Sequence, residues 1–286
     1  MTLFNADDFG VCETQCRHIL ECRRDGVLTG VSLMPNSPYL PAAAELLRDD
    51  AALKTAVHLN LTEGICLSGA AALPLLVTED GRFCRSFAEL LFASLGKNRR
   101  ELERQIKTEL NAQLDRTLPL LAGRPLRIDG HQHIQMIPLV MKSLADVLAA
   151  RGLRAEYVRF SCEPLGPFLR RPKLWKECGA ANLCKNLLLN LLGLFDRGFM
   201  DDMGVPPNRI MGLMFSGHME YRLVSEILAD MEKAAARRGV DLELVMHPGW
   251  GIAEGESLDV VGGLFDRFNR SENRKLEYDC LLKLKQ

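Results

Sequence analysis

The sequence predicts an α/β protein, an irregular (β/α) barrel of about seven parallel strands in a single domain over residues 1–286. Two observations carry this. Short apolar runs alternate with amphipathic stretches of helical spacing, beginning β-α-β-α-β at short intervals. Four of the apolar runs also finish in Asp or His: Phe4-Asn5-Ala6-Asp7-Asp8-Phe9-Gly10, Val57-His58-Leu59-Asn60-Leu61, Arg127-Ile128-Asp129-Gly130-His131-Gln132-His133, and Leu244-Val245-Met246-His247-Pro248-Gly249. Parallel α/β folds gather their chemistry at the carboxyl ends of the strands, so four such endings predict one shared site.

Strands are predicted at 2–5, 27–34, 54–61, 126–128, 155–160, 209–214 and 241–246. The first helix covers 11–24, with Cys12, Cys16, Ile19 and Leu20 on one face and Gly26 as a left-handed cap. Pro38 or Pro41 opens the second helix, which runs to about Asp49. Residues 64–85 break the rhythm with Gly69, Pro74 and Asp80-Gly81, and read as a long rim loop with a small hairpin. Ser86 caps a short helix to Leu95. Asn98 starts a long helix that buries Leu102, Ile106, Leu110, Leu114, Leu118 and Leu121. Helices over 138–151 and 221–237 follow, and a last one over 276–284. Residues 161–207 are basic at Arg170-Arg171-Pro172-Lys173 and apolar from Leu187 to Phe195. They read as an inserted segment that caps the site, as a subunit surface, or as helices packed on the barrel exterior.

Composition narrows the function classes. The net charge of −1 argues against a nucleic-acid partner or an anionic membrane surface. The most apolar run, Leu187 to Phe195, is too short to span a bilayer. The chain opens without a secretory pattern and its nine cysteines form no Cys-x-x-Cys pair, so free thiols in the cytoplasm are expected.

The candidate site collects Asp7, Asp8, His58, His131, His133 and His247. One carboxylate with two imidazoles suits a divalent metal that keeps open positions. His131 and His133, two apart on a strand, would point the same way. One of the two adjacent aspartates can bind the metal while the other accepts a proton from water, and a histidine opposite can protonate a leaving amine. Each piece has a plainer reading. Asp7-Asp8 can cap a helix, and a lone His58 can be a hydrogen-bonded core residue. His18 reads as solvated on a helix face, and His218 as a rim residue. Trp250 and Trp175 can stack on a sugar or simply pack.

Asn5-Ala6-Asp7-Asp8-Phe9-Gly10, His58-Leu59-Asn60-Leu61-Thr62-Glu63-Gly64, Asp129-Gly130-His131-Gln132-His133 and His247-Pro248-Gly249 together resemble the YdjC family of carbohydrate deacetylases, in matching order from residue 2 to about 250. Val158-Arg159 with Glu163-Pro164, Ser216-Gly217-His218-Met219 and Glu277-Tyr278 are weaker echoes. The resemblance implies a fold related to the polysaccharide deacetylases and hydrolysis of an N-acetyl group from an acetylated sugar. It implies Asp8, His58 and His131 as metal ligands, Asp7 as general base, His247 as general acid, and His133 in the site wall. Arg159 and Trp250 join His133 as expected substrate contacts. Gln135 stands where some members carry a further histidine. The family includes homodimers, and its ion is usually given as magnesium. Two imidazoles and one carboxylate suit zinc, iron or manganese better, because magnesium prefers oxygen ligands. Two other readings remain: a sugar-binding protein without turnover on the same fold, and another metal-dependent amidohydrolase or phosphoesterase. An Asp pair on the first strand disfavours the amidohydrolases, and the intact Asp7 disfavours a binding-only protein.

Overall fold

The computed structural model describes residues 1–252, 268 and 270–285. Its strands are β1 (Thr2–Phe9), β2 (Gly30–Leu33), β3 (Lys54–Leu59), β4 (Leu126–Gly130), β5 (Ala155–Val158), β6 (Asn208–Met211) and β7 (Asp241–Met246). They form one parallel sheet in the order β5-β4-β3-β2-β1-β7-β6, curled into a half-barrel as the alternating pattern predicts. Among the described residues the helices are α1 (Glu13–Asp25), α2 (Leu40–Leu46), α3 (Phe87–Ala93), α4 (Arg99–Thr117), α5 (Pro138–Ala150), α6 (Gly166–Leu169), α7 (Ala180–Asp202), α8 (Tyr221–Ala236) and α9 (Asn273–Lys283).

Several elements form for the expected reasons. Ser86 caps α3 through a reciprocal pair with Glu89. Leu102, Ile106, Leu110 and Leu114 give α4 a buried stripe, and Leu118 begins a separate 3-10 turn. The loop after β3 carries isolated antiparallel bridges at Ile65–Arg82 and Val77–Phe83, the small hairpin expected there. Gly26 is different. Its φ is −117°, so it is no left-handed cap; a Cβ there would lie 2.6 Å from the Leu281 carbonyl oxygen of α9. Close approach of two helices, not backbone sign, requires glycine. The segment between β5 and β6 is dominated by α7, which packs on α5 along the outside. Much of the expected loop over 249–274 lies outside the described residues.

The barrel's two edges meet without a ladder. The Asn208 amide spans the gap: its Nδ2 donates to the Val158 carbonyl at 2.8 Å, and its Oδ1 accepts the Phe160 N–H at 2.8 Å. One further backbone bond joins Ile210 N–H to the Cys162 carbonyl at 3.2 Å. A side-chain amide thus does the work of a missing strand pairing. Asn208→Ala should leave that N–H and that carbonyl unpaired, at about 1–3 kcal/mol for each buried group. Urea unfolding should show the loss; unchanged stability would mean that the edges do not depend on this residue.

Candidate active site

The site begins with an irregularity in β1. Neighbours in a regular strand point to opposite faces. The β1–β2 register shifts between Ala6 and Phe9, and Asp8 takes φ 63°, a left-handed conformation that aspartate tolerates better than most residues. Both aspartates therefore serve the same strand end. Asp8 Oδ1 lies 3.1 Å from His131 Nδ1 and 3.4 Å from His58 Nε2. The expectation that His131 and His133 share a strand face fails. They lie in a 3-10 turn after β4, where Gln132 and His133 have φ 52° and 61°. His131 turns onto Asp8, while His133 Nδ1 meets Ser161 Oγ at 2.9 Å.

Asp8, His58 and His131 bring ligating atoms within 4.8 Å of one another, all buried. Among the described residues Asp8 Oδ2 accepts no hydrogen bond, so the carboxylate is not already consumed by the fold. Two nitrogens and one oxygen on a buried carboxylate fit a divalent ion. A second grouping, Asp7, His58 and Asp129, has comparable spacing. Here a cation is already present: Arg159 Nη2 lies 2.7 Å from Asp7 and 2.8 Å from Asp129. That group is an ion network, not a vacancy for a metal.

Arg159 organises this layer. Its guanidinium is fully buried and pairs with Asp7 through both Nη atoms at 2.7 Å, with Asp129, and with Glu243 of β7 at 2.8 Å. Burial opposes its charge, but the three carboxylates outweigh that and raise its pKa well above the ordinary value. Arg159 was expected to contact substrate; with no exposed surface it instead braces Asp7 from below. Burial likewise works against the Asp7 carboxylate, yet Arg159 and His58 hold its pKa far below the usual range. Asp8 is also driven well below it, burial being overcome by hydrogen bonding and charge from His131 and by His58. His58 Nδ1 meets Asp129 Oδ1 at 2.7 Å. Burial disfavours its cation, but Asp7 and Asp129 prevail and raise its pKa to about 10. His131 and His133 are lowered, chiefly by burial, so both stay neutral at pH 7.

Asp7, Asp8, His58, His131, His133 and His247 line one cavity of about 490 Å³. Phe83, Cys84 and Arg85 of the loop after β3 form part of its wall, as expected of a rim. The His247 N–H donates to Glu277 Oε2 of α9, and its Nδ1 lies 3.5 Å from the same oxygen. From α9 also, Arg274 Nη1 stands 3.6 Å from Asp8 Oδ2. Glu63 faces the cavity with its pKa raised to about 7 by burial, which Gln132 partly offsets. Lys185 of α7 is half-buried in the wall, its pKa lowered to about 8 by loss of water against the pull of Asp7 and Glu163. So the 161–207 segment packs outside the barrel and still delivers one cation to the site.

Trp250 was expected to meet substrate, but it does not line the cavity among the described residues. Its ring stacks on His18 at 3.9 Å and meets Tyr278 edge-on at 4.5 Å. His18, half-buried, therefore packs on Trp250 rather than standing free on a solvated helix face. Trp175 donates Nε1–H to the Phe168 carbonyl, and His218 Nε2 meets the Glu177 carbonyl. Asp129, Glu243, Lys185 and Arg274 had no assigned role. Glu243 carried a signal, a lone charge within Leu242-Glu243-Leu244-Val245. Lys185 carried none, because only helix placement aims it inward.

His58 is cationic in the metal-free protein at neutral pH, and a ligand imidazole must be neutral. Binding of a divalent ion at pH 8 should release about one proton, with Nδ1–H kept for Asp129 and Nε2 freed. Titration calorimetry in buffers of different ionisation heat measures this; no proton release would remove His58 from the ligand set. Because its folded pKa is raised, His58 contributes stability that is complete below its ordinary 6.5 and lost as pH climbs through about 10.

A carbohydrate deacetylase of Mus musculus is 31% identical over 255 residues, 86% of this chain and 76% of the relative. A carbohydrate deacetylase of Danio rerio is 33% identical over 160 residues, 55% of this chain and only 49% of the relative. A chitooligosaccharide deacetylase of Yersinia enterocolitica is 28% identical over 236 residues, 80% of this chain and 90% of the relative. A crystal structure from Enterococcus faecalis V583, of a protein named for cellobiose-phosphate cleavage, shares the fold with a TM-score of 0.66 at 18% identity, covering 99% of this chain and 92% of that one. The YdjC-like protein family matches residues 2–285, and the chain belongs to that family.

Proposed function

We propose that the chain is a metal-dependent carbohydrate deacetylase that hydrolyses the N-acetyl group of a chitooligosaccharide-like sugar to acetate and a free amine. One observation carries the reading: a buried Asp-His-His set shares a cavity with a second ionised carboxylate and a separate histidine. The names of the relatives support the substrate class. A cytoplasmic setting and the homodimer of the family resemblance belong to the same reading.

Asp8, His58 and His131 would hold the ion; magnesium is the family's usual assignment, while the nitrogen donors favour a softer metal. Bound there, a divalent ion supplies Lewis acidity toward water and the acetyl oxygen. Among the described residues Asp7 Oδ2 accepts only from Arg159 Nη1, so a lone pair remains to take the proton of the attacking water. The clamp that keeps Asp7 ionised also weakens it as a base, and the acidity of the water must make up the difference. His247, anchored by Glu277, would give its proton to the departing amine nitrogen. Neutral His133, in the cavity wall, would bind sugar hydroxyls.

The first experiment is acetate release from N-acetylglucosamine oligomers, with metal stripped and restored ion by ion. Release should vanish on stripping and return with at least one divalent ion; release that persists without metal would sink the metal-dependent reading. Two variants separate the roles. His131→Ala should lose metal and turnover together. Asp7→Asn should keep the metal and lose about 10²–10⁴-fold in kcat. Loss of metal in Asp7→Asn with retention in Asp8→Asn would show the aspartates assigned the wrong way round.

A further inference from the structure

Outside the barrel, β6 presents Arg209 to the groove between α7 and α8. The outer face of a strand in an α/β fold is normally sealed by apolar helix contacts. Here the floor is a half-buried guanidinium whose Nη1 donates to the Asn208 carbonyl at 3.3 Å. Arg170, Lys233, Arg237 and Arg238 line the same cavity of about 480 Å³. A neighbouring cavity of about 370 Å³ shares Arg209 and Arg238, and adds Arg197.

None of these six cations has a carboxylate within 4.0 Å among the described residues, although the chain as a whole has a net charge of −1. The acids nearby do not answer them. Asp230 is taken by Arg171 at 2.9 Å, and Asp201 lines only the second cavity. Burial, together with Arg238 and Arg197, lowers the pKa of Arg209, the response of a cation crowded by its own kind. Such crowding is relieved by a bound anion, which guanidinium groups grip through paired N–H donors. The second cavity has a different wall: Phe160, Met200, Val205 and Val240. It offers an apolar surface next to the shared arginines.

We propose that this groove is a second binding site, separate from the catalytic cavity, for an organic polyphosphate. The phosphates would lie on Arg209 and Arg238, and the apolar or aromatic end against Phe160 and Val240. The proposal does not depend on the deacetylase reading, and its test involves no turnover.

Titration calorimetry on the full chain in metal-free buffer, with adenosine diphosphate, pyrophosphate and adenosine in turn, tests it. The diphosphate should bind with Kd below about 1 mM at low salt, more tightly than pyrophosphate, and weaken as salt rises. Adenosine alone should bind least. Arg209→Met and, on the exposed rim, Arg238→Met should each weaken binding about tenfold or more, while Lys185→Met leaves it unchanged. No saturable binding, binding insensitive to both arginine variants, or binding lost with Lys185→Met would each overturn the proposal. The rim variant keeps the test decisive should Arg209→Met fold poorly.

Discussion

Arg159 is the constraint on which the rest of the site depends. It follows β5 and reaches across the barrel interior to Asp7 on β1, Asp129 on β4 and Glu243 on β7. Most barrel interiors are filled by branched apolar side chains. This one is polar: Asn5 and Ser32 bond to Asp7, Ser32 to Asp129, and Tyr157 to Glu243. A buried ion network is weak as a source of stability, because desolvation costs about as much as attraction returns. Its benefit is positional. Three carboxylates from three strands cannot approach one another unless a cation holds them, and that cation also fixes where Asp7 points.

The network treats two neighbouring aspartates differently. Asp7 is bound on both oxygens and locked in its ionised form, whereas Asp8 keeps an oxygen without a hydrogen bond and meets two imidazoles. The proposed division, Asp8 to metal and Asp7 to proton transfer, rests on this difference, since a carboxylate already clamped by a guanidinium is a poor ligand. Asp129 completes the arrangement by holding His58 Nδ1, which leaves Nε2 toward Asp8. The C-terminal helix belongs to the same unit: Glu277 steadies His247, and Arg274 faces Asp8.

The incomplete barrel has consequences on both sides of its wall. Between β5 and β6, closure rests on Asn208 and the extended chain up to Glu163, which in turn accepts the N–H groups of Gly212 and Met214 at 2.8 Å. The helix that follows, α7, is free to lean on α5 and to bring Lys185 over the cavity. Leaning that way, it does not seal β6, and Arg209 stands in the gap it leaves.

The sequence by itself determined the fold class, the number of strands and their places along the chain, and the clustering of Asp7, Asp8, His58, His131, His133 and His247. Period-two and helical patterns are local, and parallel topology forces strand ends together. It also carried family membership, through short motifs in a fixed order. Only the tertiary structure decided which way each side chain faces. The left-handed backbone at Asp8 and His133 breaks the strand periodicity on which any prediction of direction relies. Arg159 and Trp250 both lie near the site in the chain, yet one is sealed beneath it and the other packed against His18. Lys185, Glu277 and Arg274 reach it from helices whose packing angles no local pattern encodes. Charge balance is likewise a sum over distant residues, so the cation at His58 becomes visible only once Asp7 and Asp129 stand beside it.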